Sequence, residues 1–278
     1  MTEPGTDIPP RQLITSLYGL YARAEHDWLS VAALVRLMED LGVDAAAVRS
    51  SVSRLKKRDV LRSMKREGRA GYALSPDTLA ILREGDVRIF SRPRATPEDG
   101  WLVVVFSVPE SERERRHALR AQLVRLGLGT AAPGVWMAPG TLFDEVAHVL
   151  ERTELMSYTE FFRSDYLGPG DVTDKLPEWW DLEELEALYT DFHATYAPVR
   201  KRLAGTAPSP DVAFRLYVPM LTAWRRLPYR DPGLPLEYLP TRWKGVTAGQ
   251  LFADLDDLLR GPADEHAQQV LHAGGGGE

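Results

Sequence analysis

The residues with the greatest capacity for specific chemistry are cationic side chains concentrated near the amino terminus. Between Asp44 and Gly71 lie nine Lys and Arg residues against two acidic residues, a net charge of +7, although the whole chain carries −6. Clustered cations bind polyanions, because neutralised phosphates release their condensed counterions. The segment therefore predicts a nucleic-acid-binding face, and the alternative is a solvated charged helix. The nine cations are Arg49, Arg54, Lys56, Lys57, Arg58, Arg62, Lys65, Arg66 and Arg69.

An amphipathic helix underlies these charges. Asp44 is a suitable N-cap, because its carboxylate can accept hydrogen bonds from the free amides of the first turn. Helical spacing gives one apolar face, formed by Ala45, Val48, Val52 and Leu55. The opposite face carries small hydroxyls and cations, which suit base edges and phosphates in a major groove; the residues predicted to contact DNA are Arg49, Ser50, Ser53, Arg54 and Lys57. The alternative for Arg49 and Arg58 is a salt bridge within the domain.

The segment upstream predicts a helix-turn-helix. Ser30 is a suitable N-cap for a helix over Val31–Leu41, and Gly42 suits the corner that follows it. The helix that begins after Asp44 is then the reader helix of a DNA-binding unit.

A basic hairpin follows the reader helix. Val60–Lys65 is strand-like, Glu67–Gly71 has the composition of a turn, and Tyr72–Leu74 predicts a return strand. Such a two-stranded wing lies along a phosphate backbone or in a minor groove. The residues expected near its tip are Lys65, Arg66 and Arg69. RNA stays open as a partner, but the segment has no aromatic stacking platform, so duplex DNA is favoured.

Composition narrows the possible classes of protein. A length of 278 residues predicts two or three domains. The absence of Cys excludes disulfides, thiol catalysis and Cys-ligated zinc. No run approaches the roughly 20 apolar residues of a membrane span, and the first residues do not resemble a secretory signal, so the expected compartment is the cytoplasm. No two His residues stand at ligand spacing, and we expect neither a metal nor a cofactor.

The predicted fold class is α+β: a winged helix-turn-helix, a ferredoxin-like split-βαβ middle domain and a helical carboxy-terminal domain. The middle domain begins with Trp101–Phe106, an apolar run expected to form a strand buried on both faces. Its order is strand, helix, strand, strand, helix, strand. The predicted divisions are a disordered leader at 1–10, the winged helix-turn-helix at 11–92, the middle domain at 98–167, the helical domain at 171–262 and a flexible tail at 263–278.

Four stretches carry a family resemblance. They are SLYGLY at Ser16–Tyr21, WLVVVFSVPESERERRHALRAQLVRLGLG at Trp101–Gly129, PGVWMAP at Pro133–Pro139 and YRDPGLPLEYLPTRWKG at Tyr229–Gly245. In these stretches the chain resembles the PaaX family of bacterial transcriptional regulators, which includes the repressor of phenylacetate breakdown. The resemblance implies the three-domain architecture above, with a middle domain related to a small CRISPR-associated nuclease. It also implies a homodimer on a palindromic operator, released from DNA by an aryl-CoA thioester such as phenylacetyl-CoA.

An effector of this class needs cations for its phosphates and an apolar slot for its acyl group. Both residue types occur in and beside a Pro-rich segment that precedes the last expected helix, Thr247–Leu259. The candidate effector-binding residues are Trp224, Arg225, Arg226, Tyr229, Arg230, Arg242, Trp243 and Lys244. Alternatively, the two tryptophans belong to the core and the arginines pair with Asp231 and Glu237.

The sequence therefore predicts a ligand-responsive DNA-binding repressor and not an enzyme. The alternative is a metal-dependent nuclease built on the middle domain, which needs carboxylates near the phosphate. The first strand of that domain, Trp101–Val108, contains no acidic residue, which argues against this alternative. A CoA-thioester-processing enzyme is a third possibility, but no nucleophile elbow supports it.

Overall fold

Two compact units make up the described structure. The computed structural model describes residues 8–91, 93–205 and 207–273. The first unit contains the described residues of Met1–Ile89, Phe192–Arg225 and Ala248–Glu278, and the second contains those of Phe90–Asp191 and Arg226–Thr247. The chain is α+β, as predicted, with two antiparallel sheets and numerous helices.

Helices and a small sheet alternate in the amino-terminal part of the first unit. The helices are α1 (Pro10–Leu17), α2 (Val31–Asp40), α3 (Ala45–Lys57) and α4 (Pro76–Phe90), and a π-helical turn at Tyr18–Ala22 continues α1. The strands are β1 (Trp28–Ser30), β2 (Leu61–Arg66) and β3 (Arg69–Leu74), in the order β1-β3-β2. The first three helices contact one another and bury Leu17, Leu37 and Val52 between them.

The predicted caps of α2 and α3 are confirmed. The Ser30 hydroxyl accepts a hydrogen bond from the Ala33 amide, at 3.1 Å. The Asp44 carboxylate accepts from the amides of Ala46 and Ala47, both at 2.8 Å. These bonds satisfy amides that a helix leaves without an internal partner. Gly42, between the two helices, has a φ of 77°, a conformation that glycine adopts without steric strain.

The predicted turn of the hairpin was too long. Glu67 and Gly68 alone form the turn, with φ values of 50° and 76°. Two successive positive φ values are typical of a type I′ turn, whose twist matches that of the flanking strands. Consequently β3 begins at Arg69 and not at Tyr72, and the hairpin pairs six residues on each side. The hairpin is also part of a three-stranded sheet and not an isolated pair of strands, because β1 pairs with β3.

A second sheet organises the middle of the chain, in the second unit. Its strands are β4 (Trp101–Phe106), β5 (Gly129–Ala132), β6 (Val135–Pro139) and β7 (Thr159–Ser164), all antiparallel in the order β5-β6-β4-β7. Two helices lie between them in sequence, α5 (Arg113–Arg125) and α6 (Phe143–Arg152). Leu119 of α5 and Val146 of α6 share one core cluster with Leu102 and Val104 of β4, so both helices cover the same face.

The prediction that β4 is buried on both faces was wrong. Leu102 and Val104 are buried, whereas Val103 is half-buried and Val105 is 36% exposed. A strand read as a continuous apolar run is buried on both sides when helices flank the sheet on both sides. Here the helices that fill the core cluster lie on one face, and the side chains of the strand alternate between that face and the other.

The remaining helices follow the second sheet in the sequence. They are α7 (Leu176–Trp179), α8 (Leu182–Arg202), α9 (Pro210–Trp224), α10 (Leu227–Arg230) and α11 (Lys244–His272). Among the residues that the structure describes, no helix has the length and apolar character needed to cross a membrane.

The predicted end of the last helix at Leu259 was wrong. The helix α11 continues to His272, although Pro262 lies inside it. Leu259, Ala263 and Ala267 are fully buried, so the packing of this face outweighs the amide hydrogen bond that proline removes. Residues 263–272 of the predicted flexible tail are therefore helical. Residues 274–278 of that tail, like residues 1–7 of the predicted leader, lie outside the described residues.

A polar cluster lies where α11 packs in the first unit. The Tyr217 hydroxyl of α9 donates to Asp256 of α11 at 2.7 Å, and Arg260 forms a salt bridge with the same carboxylate at 2.5 Å. Asp264 is partly buried beside this pair. Burial raises the pKa of the Asp264 carboxyl; the positive charge of Arg260 opposes this shift, and the negative charge of Asp256 adds to it.

Replacing Asp264 by Asn should stabilise the protein at neutral pH. A carboxyl whose pKa is raised by folding contributes stability that is complete below the ordinary pKa of Asp and is lost as the pH rises through the raised value. Asp264→Asn should therefore melt at a higher temperature than the parent at pH 7, and the difference should vanish below about pH 4. Asp257→Asn, which removes a charge from an exposed position of the same helix, is the matched control. A gain that does not depend on pH would contradict the prediction.

Candidate nucleic-acid interface

The outer face of α3 carries all five of its predicted DNA-contacting residues in exposed positions. These are Arg49, Ser50, Ser53, Arg54 and Lys57. The inner face buries Val48, Val52 and Leu55, as predicted, and also Ser51. Because Ser51 belongs to the buried face, the centre of the exposed face is formed by Ser50, Ser53 and Lys57. Arg49 and Arg54 flank this centre on opposite sides.

The cations of this face are not engaged in ion pairs with other described residues. Within residues 8–91, 93–205 and 207–273, no salt bridge involves Arg49, Arg54 or Lys57. The alternative of an internal ion pair is likewise not realised for Arg58 among those residues.

The three cations of the hairpin tip divide between its two faces. Lys65 lies opposite Ala70, two residues from Tyr72, whereas Arg66 and Arg69 lie opposite each other on the other face. Arg69 forms a salt bridge with Glu67 at 3.3 Å. The Arg66 guanidinium donates to the Glu25 carbonyl at 3.4 Å. Arg66 and Arg69 are thus oriented by neighbouring residues.

Contacts to Tyr72 join the hairpin to the helices. The Lys56 ammonium of α3 lies 5.8 Å from the centroid of the Tyr72 ring. The Tyr18 hydroxyl of the π-helical turn donates to the Tyr72 carbonyl at 3.0 Å. Lys65 therefore shares a face of the hairpin with α3, and the structure brings these two sets of predicted residues together. Arg66 and Arg69 lie on the face of Trp28, a residue that the sequence analysis missed.

A further cation of the hairpin is paired locally. Arg62 forms a two-pronged contact with Asp59, with nitrogen–oxygen distances of 2.8 and 2.6 Å. The hydrogen bond from Arg62 lowers the pKa of the exposed Asp59 carboxyl. Of the nine cations of the basic segment, this is one whose charge is already balanced by an acid.

The candidate effector-binding residues do not form one exposed cluster. Trp224 stacks on Phe252 at a centroid distance of 4.5 Å, and its indole donates to the Ile89 carbonyl. Trp243 is 3% exposed and packs edge-on against Tyr189. Both tryptophans are thus core residues, as the alternative interpretation predicted. Trp224 and Arg225 belong to the first unit, and the other six candidates belong to the second.

The cations of this group differ in how strongly they are engaged. The Arg225 guanidinium donates to the Gln12 carbonyl at 3.2 Å. Arg230 forms a salt bridge with Glu184 at 2.5 Å. Arg226, Arg242 and Lys244 are exposed, and Tyr229 is half-buried.

A buried carboxylate holds the Pro-rich segment in place. Asp231 is 4% exposed and forms a salt bridge with Arg94, a residue outside the candidate cluster. The Tyr189 hydroxyl and the Gly233 amide also donate to this carboxylate, at 2.8 and 2.7 Å. Arg94 in turn donates to the Leu234 carbonyl. The segment Asp231–Pro235 is consequently buried and packed, not open to solvent.

Comparison with known proteins links all three parts of the chain to one family. Residues 9–78 match the family profile described as PaaX-like protein, residues 94–176 match the PaaX protein central Cas2-like domain, and residues 180–269 match the PaaX-like protein C-terminal domain. The curated Transcriptional repressor PaaX of Escherichia coli (strain K12) is 28% identical over 250 residues, which cover 87% of this chain and 78% of the relative.

A solved structure is similar over most of the chain. It is the uncharacterized protein Rv0674 from Mycobacterium tuberculosis, with a TM-score of 0.56 and 23% sequence identity. The similarity covers 91% of this chain and 96% of that protein. At this level of identity the likeness concerns the fold alone.

Removing the charge of Asp231 should destabilise the protein strongly. Asp231→Asn keeps the shape of the side chain but leaves Arg94, whose side chain is 23% exposed, without its counter-ion. Breaking a buried pair in this way costs about 3 kcal/mol. Glu184→Gln, which breaks the exposed pair with Arg230, should cost less than about 1 kcal/mol. Urea unfolding of the two variants measures the difference, and equal losses would contradict a structural role for Asp231.

Proposed function

The chain belongs to the PaaX family, and from this premise we propose that it is a transcriptional repressor that binds duplex DNA through a winged helix-turn-helix. The reader helix is α3, which inserts into the major groove. The β2–β3 hairpin is the wing, which lies along the phosphate backbone or in the adjacent minor groove. The amino-terminal family match and the repressor that is 28% identical support this assignment.

One observation carries the proposal: the chemistry of the outer face of α3. Two small hydroxyls, Ser50 and Ser53, lie exposed at its centre and can approach base edges. Exposed cations surround them and have no salt bridge to the described residues. Phosphates attract such cations strongly, because each neutralised phosphate releases condensed counterions. The DNA-contacting residues of this proposal are Arg49, Ser50, Ser53, Arg54 and Lys57 in α3, and Lys65, Arg66 and Arg69 in the wing.

The finer architecture is part of the same proposal. The strand order β5-β6-β4-β7, with α5 and α6 on one face, supports a ferredoxin-like split-βαβ middle domain. Together with the winged helix-turn-helix at 11–92, the proposed domains are this middle domain at 98–167 and a helical domain at 171–262. We find no observation in the described residues that favours the alternative, a metal-dependent nuclease.

The regulated system is proposed by analogy with the family. The repressor acts as a homodimer on a palindromic operator and controls an aromatic, phenylacetate-type catabolic operon. An aryl-CoA thioester weakens DNA binding because it binds more tightly to the conformation that is not bound to DNA. Exposed Arg226, Arg242 and Lys244 support phosphate binding near the Pro-rich segment. The buried indoles of Trp224 and Trp243 support a structural role for these two candidates.

Arg54→Ala should weaken DNA binding about tenfold, since a cation that contacts a base or phosphate contributes binding free energy of that order. The slope of log affinity against log salt should also fall by about 1. The measurement is a salt titration with a duplex selected from a random library by the parent protein. Arg120→Ala is the matched control, because Arg120 is an exposed cation on α5 outside the proposed interface. Salt-insensitive binding, or an unaffected Arg54→Ala variant, would refute the proposed function.

Phenylacetyl-CoA should release the protein from the same duplex. A coupling of the usual size would weaken binding about tenfold, whereas coenzyme A without the acyl group should have a much smaller effect because it lacks the aryl contact. Competition binding with the two compounds measures the difference. If both leave the affinity unchanged, the effector proposal fails while the DNA-binding proposal stands.

A further inference from the structure

A strained turn lies directly before β1. In this turn, Glu25–Trp28, His26 and Asp27 have φ values of 57° and 64°. Two consecutive residues other than glycine rarely adopt this left-handed conformation, and it persists only where the surrounding structure imposes it. We call Glu25–Trp28 the support turn.

Two backbone hydrogen bonds hold Asp27 of the support turn in place. The Asp27 amide donates to the Ala22 carbonyl of the π-helical turn at 2.7 Å. The Asp27 carbonyl accepts from the Leu74 amide of β3 at 3.0 Å. The strain is therefore maintained by contacts to a helical turn on one side and to a wing strand on the other. Both contacts lie within the first unit.

Trp28 links the support turn to both strands of the wing. Its backbone pairs with Ala73 of β3, and its indole donates to the Met64 carbonyl of β2 at 3.2 Å. The ring crosses the wing at Gly71, where a Cβ atom would lie 2.4 Å from two of the ring atoms. The absence of a side chain at Gly71 thus leaves room for the indole. The indole connects β2 to β1 through its hydrogen bond to Met64.

The same turn orients the two arginines of the wing tip. The Arg69 guanidinium carbon lies 6.0 Å from the centroid of the Trp28 ring, at the outer limit of a cation–π contact. The Arg66 guanidinium donates to the Glu25 carbonyl. Arg66 and Arg69 lie directly opposite each other in the register of the hairpin. The two opposite cations therefore contact neighbouring residues of one turn, and Arg69 also pairs with Glu67.

We propose that Trp28, with the Glu25 carbonyl, is a positioning site that pre-orients Arg66 and Arg69 for a phosphate backbone or a narrow minor groove. The inference rests on the proposed function and adds residues that do not themselves contact DNA. Long side chains lose rotamer freedom when they bind, and this loss weakens binding. Contacts that restrict the arginines in the free protein remove part of that loss in advance.

Energetic coupling to Arg69 distinguishes this role from that of an ordinary core residue. A core tryptophan affects the stability of the fold, and its replacement weakens all DNA contacts alike. A positioning tryptophan affects DNA binding through Arg69, so its effect depends on whether Arg69 is present. Energetic coupling of this kind is measured by a double-mutant cycle.

The experiment is a cycle between Trp28→Leu and Arg69→Ala, measured as affinity for a duplex that the parent protein selects from a random library. Arg69→Ala should weaken binding about tenfold and lower the salt slope by about 1. The loss caused by Trp28→Leu should shrink about threefold when Arg69 is already Ala. Trp28→Phe keeps an aromatic face but loses the indole N–H, so its loss of affinity should be smaller and should depend on Arg69 less strongly than that of Trp28→Leu.

A second cycle is the matched control. Lys57 lies on α3 and belongs to the other proposed set of contacts, so the losses from Trp28→Leu and Lys57→Ala should multiply. Hydrogen exchange of the free proteins shows whether Trp28→Leu folds: protection should fall in β2 and persist in α2 and α3. If that variant does not fold, the cycle is run with Trp28→Phe, whose smaller loss of affinity should still shrink when Arg69 is already Ala and should leave the salt slope unchanged.

The outcomes separate the two proposals. Losses from Trp28 and Arg69 that simply multiply would overturn the positioning role and leave the proposed function intact. A parent protein that selects no duplex would refute the proposed function and the positioning role together. Coupling to Arg69 with no coupling to Lys57 is the result that supports the inference.

Discussion

The backbone of β3 is the constraint on which the amino-terminal architecture depends. This strand pairs with β1 on one side and with β2 on the other. The Tyr72 carbonyl also accepts the Tyr18 hydroxyl, and the Leu74 amide donates to Asp27. Backbone polar groups that are shielded from water must stay paired. Helical turn, wing and support turn are therefore tied to one strand, and none of them can shift without breaking its bonds.

The parts of the fold that the sequence predicts well are those whose causes are local. The caps at Ser30 and Asp44 each need one side chain and the next few amides. The apolar stripe of α3 recurs at helical spacing, and its charged side is exposed as expected. The burial of Ser51 could not be read from this pattern, because a hydroxyl on the edge of an apolar stripe is compatible with either face. In addition, the exposure of a side chain does not identify the ligand that it binds.

The features that escaped prediction depend on contacts between distant parts of the chain. The strand β1 has three residues and exists because Trp28 pairs with Ala73. Arg94 and Asp231 are 137 residues apart, so nothing near Asp231 indicates its counter-ion. Trp224 and Trp243 stand among cations in the sequence and resemble a ligand site, yet their rings pack against Phe252 and Tyr189. Their proximity to cations in the sequence suggested an effector site, but both rings are buried in the core.

The tight turn at Glu67 and Gly68 has a consequence for the reach of the wing. With six residues in each strand and a rise of about 3.3 Å per residue, the hairpin is about 20 Å long. This length is a little more than half of the ~34 Å helical repeat of B-DNA. The two strands are paired along their whole length, so the hairpin is extended over the full ~20 Å. The number of residues in the two strands thus sets how far the hairpin can extend beside α3.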